Sequence, residues 1–214
     1  MQNGVKTMKQ KFGVLYICFF ILIAVLSACQ TGKIDEQQVL NHYYDVITTA
    51  QKLFENHVYN GSVYYNENIQ TIEDVYALLG GKVTEDGMEQ LVDRFFIEEE
   101  GKLVYRDKYQ TYIEEESLYT ATPENPSRYY ESVRQTILNP GLQIVTTQDV
   151  SITRDGEYVV LEGTDLPIYF YEETTLSKEQ YKRFGYPPSD KLSISFIFIK
   201  QGDNYLLEEY KVEG

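Results

Sequence analysis

The chain has 214 residues, with 33 acidic against 19 basic side chains and a formal net charge of −14. Such acidity argues against nucleic acid, whose phosphates would repel it, and against docking on anionic lipid through basic patches. What remains is a basic protein partner steered by long-range attraction, or plain solubility.

Residues 1–28 read as an export signal. Lys6, Lys9 and Lys11 make a positive n-region, and Val14 to Leu26 an apolar run too short to span a bilayer comfortably. The run ends in the small-residue site Leu26-Ser27-Ala28-Cys29, which resembles the lipobox of bacterial lipoproteins. That resemblance implies a Cys29 thiol joined to diacylglycerol, with Cys29 as first mature residue, anchoring the chain at the extracytoplasmic face of the cell membrane. Acyl chains bury about 0.8 kcal/mol per CH2, so several of them hold stably. The alternatives are a plain signal peptide or a short membrane anchor.

Removing residues 1–28 deletes three lysines and no acid, so 16 basic and 33 acidic side chains remain, a net charge of about −17. Cys18 leaves with the signal and Cys29 is taken by lipid, so neither a free thiol nor a disulfide is left for the exported part. Residues 29–33 are then a lipidated cysteine and short tether, and 34–214 a single extracytoplasmic domain, long enough for a core of its own. Trp is absent and Tyr, at 20, is abundant; its ring buries area while its hydroxyl stays wet.

From Asp35 to His57 the apolar residues Val39, Tyr43, Val46, Ile47, Ala50, Leu53 and Phe54 recur at three- and four-residue steps, predicting one amphipathic helix. Ser62 to Tyr65 reads as a short strand after Asn60-Gly61. Thr71 caps a second helix with early acids Glu73 and Asp74, closed by Gly80-Gly81 through a left-handed glycine. Thr84 starts a third, with Met88, Leu91, Val92, Phe95 and Phe96 on one side and Gly87 weakening its first turn.

Beyond Phe96 antiparallel strands dominate. Glu99-Glu100-Gly101-Lys102 reads as a hairpin turn between Phe95–Glu98 and Leu103–Arg106. Residues 107–128 are polar and show no clear period, Pro123 and Pro126 making part of them a loop. Arg128 to Leu138 is strand or helix, broken by Pro140-Gly141. Gln143–Thr153 and Glu157–Glu162 flank the hairpin signal Asp155-Gly156, and Ile168–Glu172 is another strand. A helical insert begins at Ser177-Lys178-Glu179-Gln180 and ends near Gly185-Tyr186-Pro187-Pro188. Leu192–Lys200 and Tyr205–Val212 form a last hairpin around Gln201-Gly202-Asp203-Asn204. In its first arm Leu192, Ile194, Phe196 and Phe198 alternate with serines, as a sheet with one buried face requires. Helices first and hairpins after predict an α+β fold, with N-terminal helices packed on a curved antiparallel sheet. A cone of the nuclear-transport-factor type is one arrangement of these parts.

Catalytic signals are sparse. His42 and His57 are the only histidines; fifteen residues apart on one helix they would stand about 22 Å from each other, too far to share a metal. No Gly-x-Ser-x-Gly elbow, zinc-type His-Glu-x-x-His, P-loop, dinucleotide glycine motif or EF-hand loop is present. The acidic runs Glu98-Glu99-Glu100, Glu114-Glu115-Glu116, Glu172-Glu173 and Glu208-Glu209 could supply carboxylate pairs for glycoside hydrolysis, yet no Trp stacks on sugar and acids adjacent on a strand alternate faces. Solvated surface charge is the simpler account of them. No enzyme, no cofactor and no metal site is expected.

One stretch carries a further resemblance. Tyr64-Tyr65 is followed by a Thr-capped helix holding Glu73-Asp74-Val75 and Leu78-Leu79. Val83-Thr84 then leads a helix ending in Phe95-Phe96, and a hairpin carries Gly101-Lys102-Leu103-Val104-Tyr105. A later strand pair runs over Gln148–Thr153 and Tyr158–Gly163. This order, over roughly residues 60–165, is similar to the IseA-type DL-endopeptidase inhibitors of Gram-positive cell walls. The resemblance implies a peptidase inhibitor that blocks the cleft of NlpC-type cysteine peptidases of peptidoglycan and restrains autolysis, with no catalytic residues of its own. Acidic residues would meet a basic cleft, charge mainly raising the on-rate and aromatics anchoring. The candidate contacts are Glu98, Glu99, Glu100, Glu114, Glu115 and Glu116, on a protein expected to be a monomer. The alternative is a lipoprotein whose cone-like sheet holds a small apolar or glycan ligand.

Overall fold

The computed structural model describes residues 33–115, 121–174, 179 and 181–214. Asp35–Gly214 is one unit; Met1–Ile34 is another, in which the expected export signal and Cys29 lie outside the described residues. Among the described residues no helix is long and apolar enough to cross a membrane.

The fold is α+β. Helix α1 (Glu36–Ala50) starts where the Asp35 carboxylate accepts the Gln38 amide at 3.0 Å, and it buries Val39, Leu40, Tyr43, Val46, Ile47 and Ala50 on one stripe. It is shorter than its periodicity predicts. A 3-10 turn, Gln51–Phe54, carries the last apolar residues inward; Asn56 then takes a left-handed conformation, which Asn tolerates, and His57 opens a strand. The helical spacing between the two histidines therefore does not apply.

Strands β1 (His57–Tyr59) and β2 (Tyr64–Asn66) form a hairpin whose turn is fixed by the Asn60 side chain, accepting from Ser62 and Val63 at 2.9 and 3.0 Å. Helix α2 (Ile72–Leu79) has a full capping box between Thr71 and Asp74. Its closing glycine is Gly81, at φ +77; Gly80 is not left-handed. Helix α3 (Glu85–Phe95) is capped by Thr84 and runs straight into β3 (Phe96–Glu99), paired with β4 (Lys102–Tyr105). The unreadable segment after it begins as helix α4 (Asp107–Glu115), and a short α5 (Tyr129–Val133) follows.

The main sheet has the order β5 (Ser151–Asp155), β6 (Tyr158–Tyr169), β7 (Ser189–Gln201), β8 (Asn204–Glu213), all antiparallel. Both of its tight turns place glycine first, Gly156 and Gly202 at φ +62, so Asp155 is the last strand residue rather than a turn residue. The segment expected as a separate strand near Ile168 is the continuation of β6. A bulge at Gly163–Leu166 shifts the buried parity from Val159 and Leu161 to Leu166 and Ile168. A second bulge puts Glu208 out of register, so that Tyr205, Leu207, Tyr210 and Val212 all face inward. Bulged strands bend, and this sheet curves over its core. The excursion between β6 and β7 carries the predicted helical insert; 175–178 and 180 lie outside the described residues, and Glu179, Tyr181 and Lys182 are helical.

Helix α1 covers the inner face, and α3 runs along β8. Tyr43 meets Phe196 edge-on at 4.8 Å and bonds to the Leu142 carbonyl at 2.9 Å. Each such large side chain, fully buried, contributes about 1.5–3 kcal/mol. The free edge of β8 is closed by Lys82–Thr84, through Leu207 N–H to the Lys82 carbonyl and Thr84 N–H to the Leu207 carbonyl, both 2.9 Å. Gln90 extends that closure, its amide pairing with the Tyr210 backbone at 2.9 and 3.1 Å as another strand would.

Candidate functional site

Two small hairpins stand side by side, away from the main sheet. Gln110, on α4, ties them together. Its Oε1 accepts the Tyr64 amide at 2.6 Å, and its Nε2 donates to the Tyr64 and Tyr105 carbonyls at 2.8 and 2.9 Å. Beneath them Phe54, Phe95, Phe96, Tyr105 and Tyr109 form an aromatic base, with Phe96 stacked on Tyr105 at 5.3 Å.

The β3–β4 turn is Glu100-Gly101, with φ of 51 and 77. Positive φ at both central residues is the type I′ geometry that matches strand twist. Glu98, Glu99 and Glu100 are all exposed there, but they do not act as one cluster. Glu99 and Glu100 border a groove of about 310 Å³ shared with the first hairpin, lined also by Val63, Tyr65, Lys102 and Val104. Glu98 borders the groove on the opposite side, toward α2 and α3. Strand alternation is the reason. Glu114 is exposed on α4, Glu115 ends that helix, and Glu116 lies outside the described residues. Among the described residues no hydrogen bond or ion pair joins Glu114 to the hairpin acids.

On the neighbouring hairpin Tyr59 and Tyr64 face each other across the strands with ring centroids 4.9 Å apart, and Tyr59 is 54% exposed. This aromatic pair escaped the sequence reading, because His57-Val58-Tyr59 continues the helical stripe. Asn60-Gly61, set between two aromatic and β-branched runs, was the signal for it.

The histidines lie in different surroundings. His42 donates from Nε2 to the Lys82 carbonyl at 2.8 Å and meets Phe198 edge-on; burial lowers its pKa, outweighing that bond and the nearby Asp45. His57 keeps contact with solvent, but its ring lies against Phe54 and Tyr105 with Nδ1 3.1 Å from the Tyr105 hydroxyl. Burial lowers its pKa too. Among the described residues neither ring bonds to a serine or a thiol. Among the described residues no three His, Cys, Asp or Glu side chains are grouped to hold a metal ion.

One ion cluster was not foreseen. Arg134, at the C-terminal cap of α5, binds Asp190 on β7 bidentately, both contacts 2.6 Å, and the Tyr130 hydroxyl donates to the same carboxylate at 2.5 Å. Burial pushes Asp190 up, but the Arg134 and Tyr130 bonds outweigh it and hold the carboxyl below its usual range. The three residues come from segments 56 to 60 positions apart, so spacing could not announce them. They pin α5 to the sheet and stand apart from the hairpins.

The described surface offers open grooves bordered by charged side chains. Comparison of the chain with family models, with curated proteins and with solved structures gave no match.

Proposed function

We propose that the chain is a lipid-anchored extracytoplasmic protein that binds peptidoglycan DL-endopeptidases of the NlpC cysteine type and blocks their cleft, restraining autolysis. The observation that carries this reading is the pair of hairpins. They set the Tyr59–Tyr64 pair, with Tyr59 exposed, on one hairpin and the exposed Glu98, Glu99 and Glu100 on the two sides of its neighbour, over a braced aromatic base, a combination of anchors and charge suited to a basic protein surface. The anchor is the lipid on Cys29, and the protein partner is the endopeptidase.

The test uses the chain from Gln30 to Gly214, added to a purified NlpC-type endopeptidase digesting peptidoglycan. Dose-dependent loss of activity with a stoichiometric complex is expected. No effect on several such enzymes, one of them from the same organism, refutes the reading. Labelled fatty acid incorporated by the full chain, and lost in Cys29→Ala, tests the anchor separately.

A further inference from the structure

The side of the β3–β4 hairpin that carries Glu98 opens on a groove of about 590 Å³, walled by the hairpin, the first turn of α2 and the last turn of α3. Its floor is apolar. Phe96 and Leu103 are buried beneath it, Val92 is half-buried, and Ile72 is 37% exposed at the lip. Exposed Glu73, Asp93 and Glu98 ring this floor, and Arg106 reaches the rim, its Nε donating to the Asp93 carbonyl. Three carboxylates against one guanidinium leave the rim negative, in a chain whose net charge is −14.

We infer that this groove is the partner-binding subsite, and that it takes an apolar side chain flanked by lysine or arginine on a protein surface. The assignment rests on the endopeptidase reading and names the contact chemistry within it. An apolar centre with a polar rim is how interface anchors are seated, water being excluded from the centre by the ring around it. The volume lies within the roughly 300–1,000 Å³ of pockets that enclose a bound group. The charged rim selects the sign of what flanks the anchor and steers its approach.

The experiment measures binding and inhibition of a purified NlpC-type endopeptidase by the chain from Gln30 to Gly214 and by three variants. Ile72→Ala removes the apolar lip and keeps a strong helix former at the first position of α2. Glu73→Lys with Glu98→Lys reverses the rim at exposed positions. Glu157→Lys with Glu162→Lys makes the same charge change on the exposed β5–β6 hairpin. The first two are expected to weaken the complex by about tenfold or more, and the third to leave it within about twofold. Wild-type affinity is expected to fall with added salt, and the rim variant to lose much of that dependence.

If the wild-type chain binds and the groove variants, folded by circular dichroism, bind equally well, the groove assignment is overturned and the inhibitor reading stands. If the wild-type chain binds none of several such enzymes, the inhibitor reading falls and takes the groove with it. If the chain alone sediments as a dimer that the rim reversal separates, the occupant is a second copy and the assignment to a partner enzyme is overturned.

Discussion

Gly87→Ala separates local propensity from tertiary packing. In an isolated helix the change stabilises by about 0.5–1 kcal/mol, because glycine loses more backbone freedom than alanine. In the fold, an added Cβ at residue 87 would lie 2.6 Å from the Leu207 carbonyl oxygen, 2.7 Å from Val83 Cγ1 and 3.1 Å from the Glu208 carbonyl oxygen. The Val83 methyl can rotate away; the two carbonyls belong to strand β8. The Leu207 carbonyl also accepts from the Thr84 amide at 2.9 Å and its hydroxyl at 3.3 Å, so moving it strains the cap of α3 and the closure of the sheet edge. Overpacking of this kind costs about 1–3 kcal/mol. With two backbone carbonyls in the way the cost sits at the upper end, about 2–3 kcal/mol, and set against the helix gain a net loss of roughly 1–2.5 kcal/mol remains, or about 2–10 °C in Tm for a domain of this size. Urea unfolding followed by circular dichroism measures it, with a lower midpoint expected at unchanged slope. A variant as stable as the parent, or more so, refutes the claim that α3 and β8 touch at this glycine.

Replacing Asp190 by Asn should cost about 1.5–3 kcal/mol at neutral pH, since charged hydrogen bonds to Arg134 and Tyr130 are lost. Because the folded-state pKa of Asp190 is depressed, its contribution is present above the ordinary carboxylate range and disappears as pH falls below about 4; the variant should lose less stability on acidification. Both histidines have depressed values, so the unfolded chain takes up protons first, and stability should decline as pH drops from about 6.5 toward 5. Unfolding midpoints at pH 7.5 and 5.5 check this, and His42→Gln with His57→Gln should flatten the difference. Glu100→Asn should raise stability by roughly 0.5–1 kcal/mol, as Asn adopts the left-handed conformation at φ 51 more readily. The same variant should weaken endopeptidase binding if the carboxylate serves the partner, which calorimetry would read directly.

Much of the architecture was legible in the residues themselves. Thr71 and Thr84 marked helix starts because a short side-chain oxygen beside an apolar period satisfies the first free amides, and each does so in the fold. The alternation of Leu192, Ile194, Phe196 and Phe198 with serine declared a one-faced sheet, and these four are buried. Glu100-Gly101, Gly156 and Gly202 stood where tight turns need positive φ. The acids at 98–100 were visible as charge, but their division between two grooves was not, because a linear run does not say which neighbours flank each face of a hairpin. The strand at His57–Tyr59 was hidden for the same kind of reason: an apolar stripe continues up to it, and its pairing partner, Tyr64–Asn66, lies beyond the turn. Parity in β6 and β8 changes midway because bulges, invisible to a period of two, bring Leu166 and Tyr210 back to the core. Local signals act over a few residues and are written in order along the chain. The β8 closure, the Arg134–Asp190 pair and the groove floor join residues distant in sequence, and only packing of the whole chain brings them into contact.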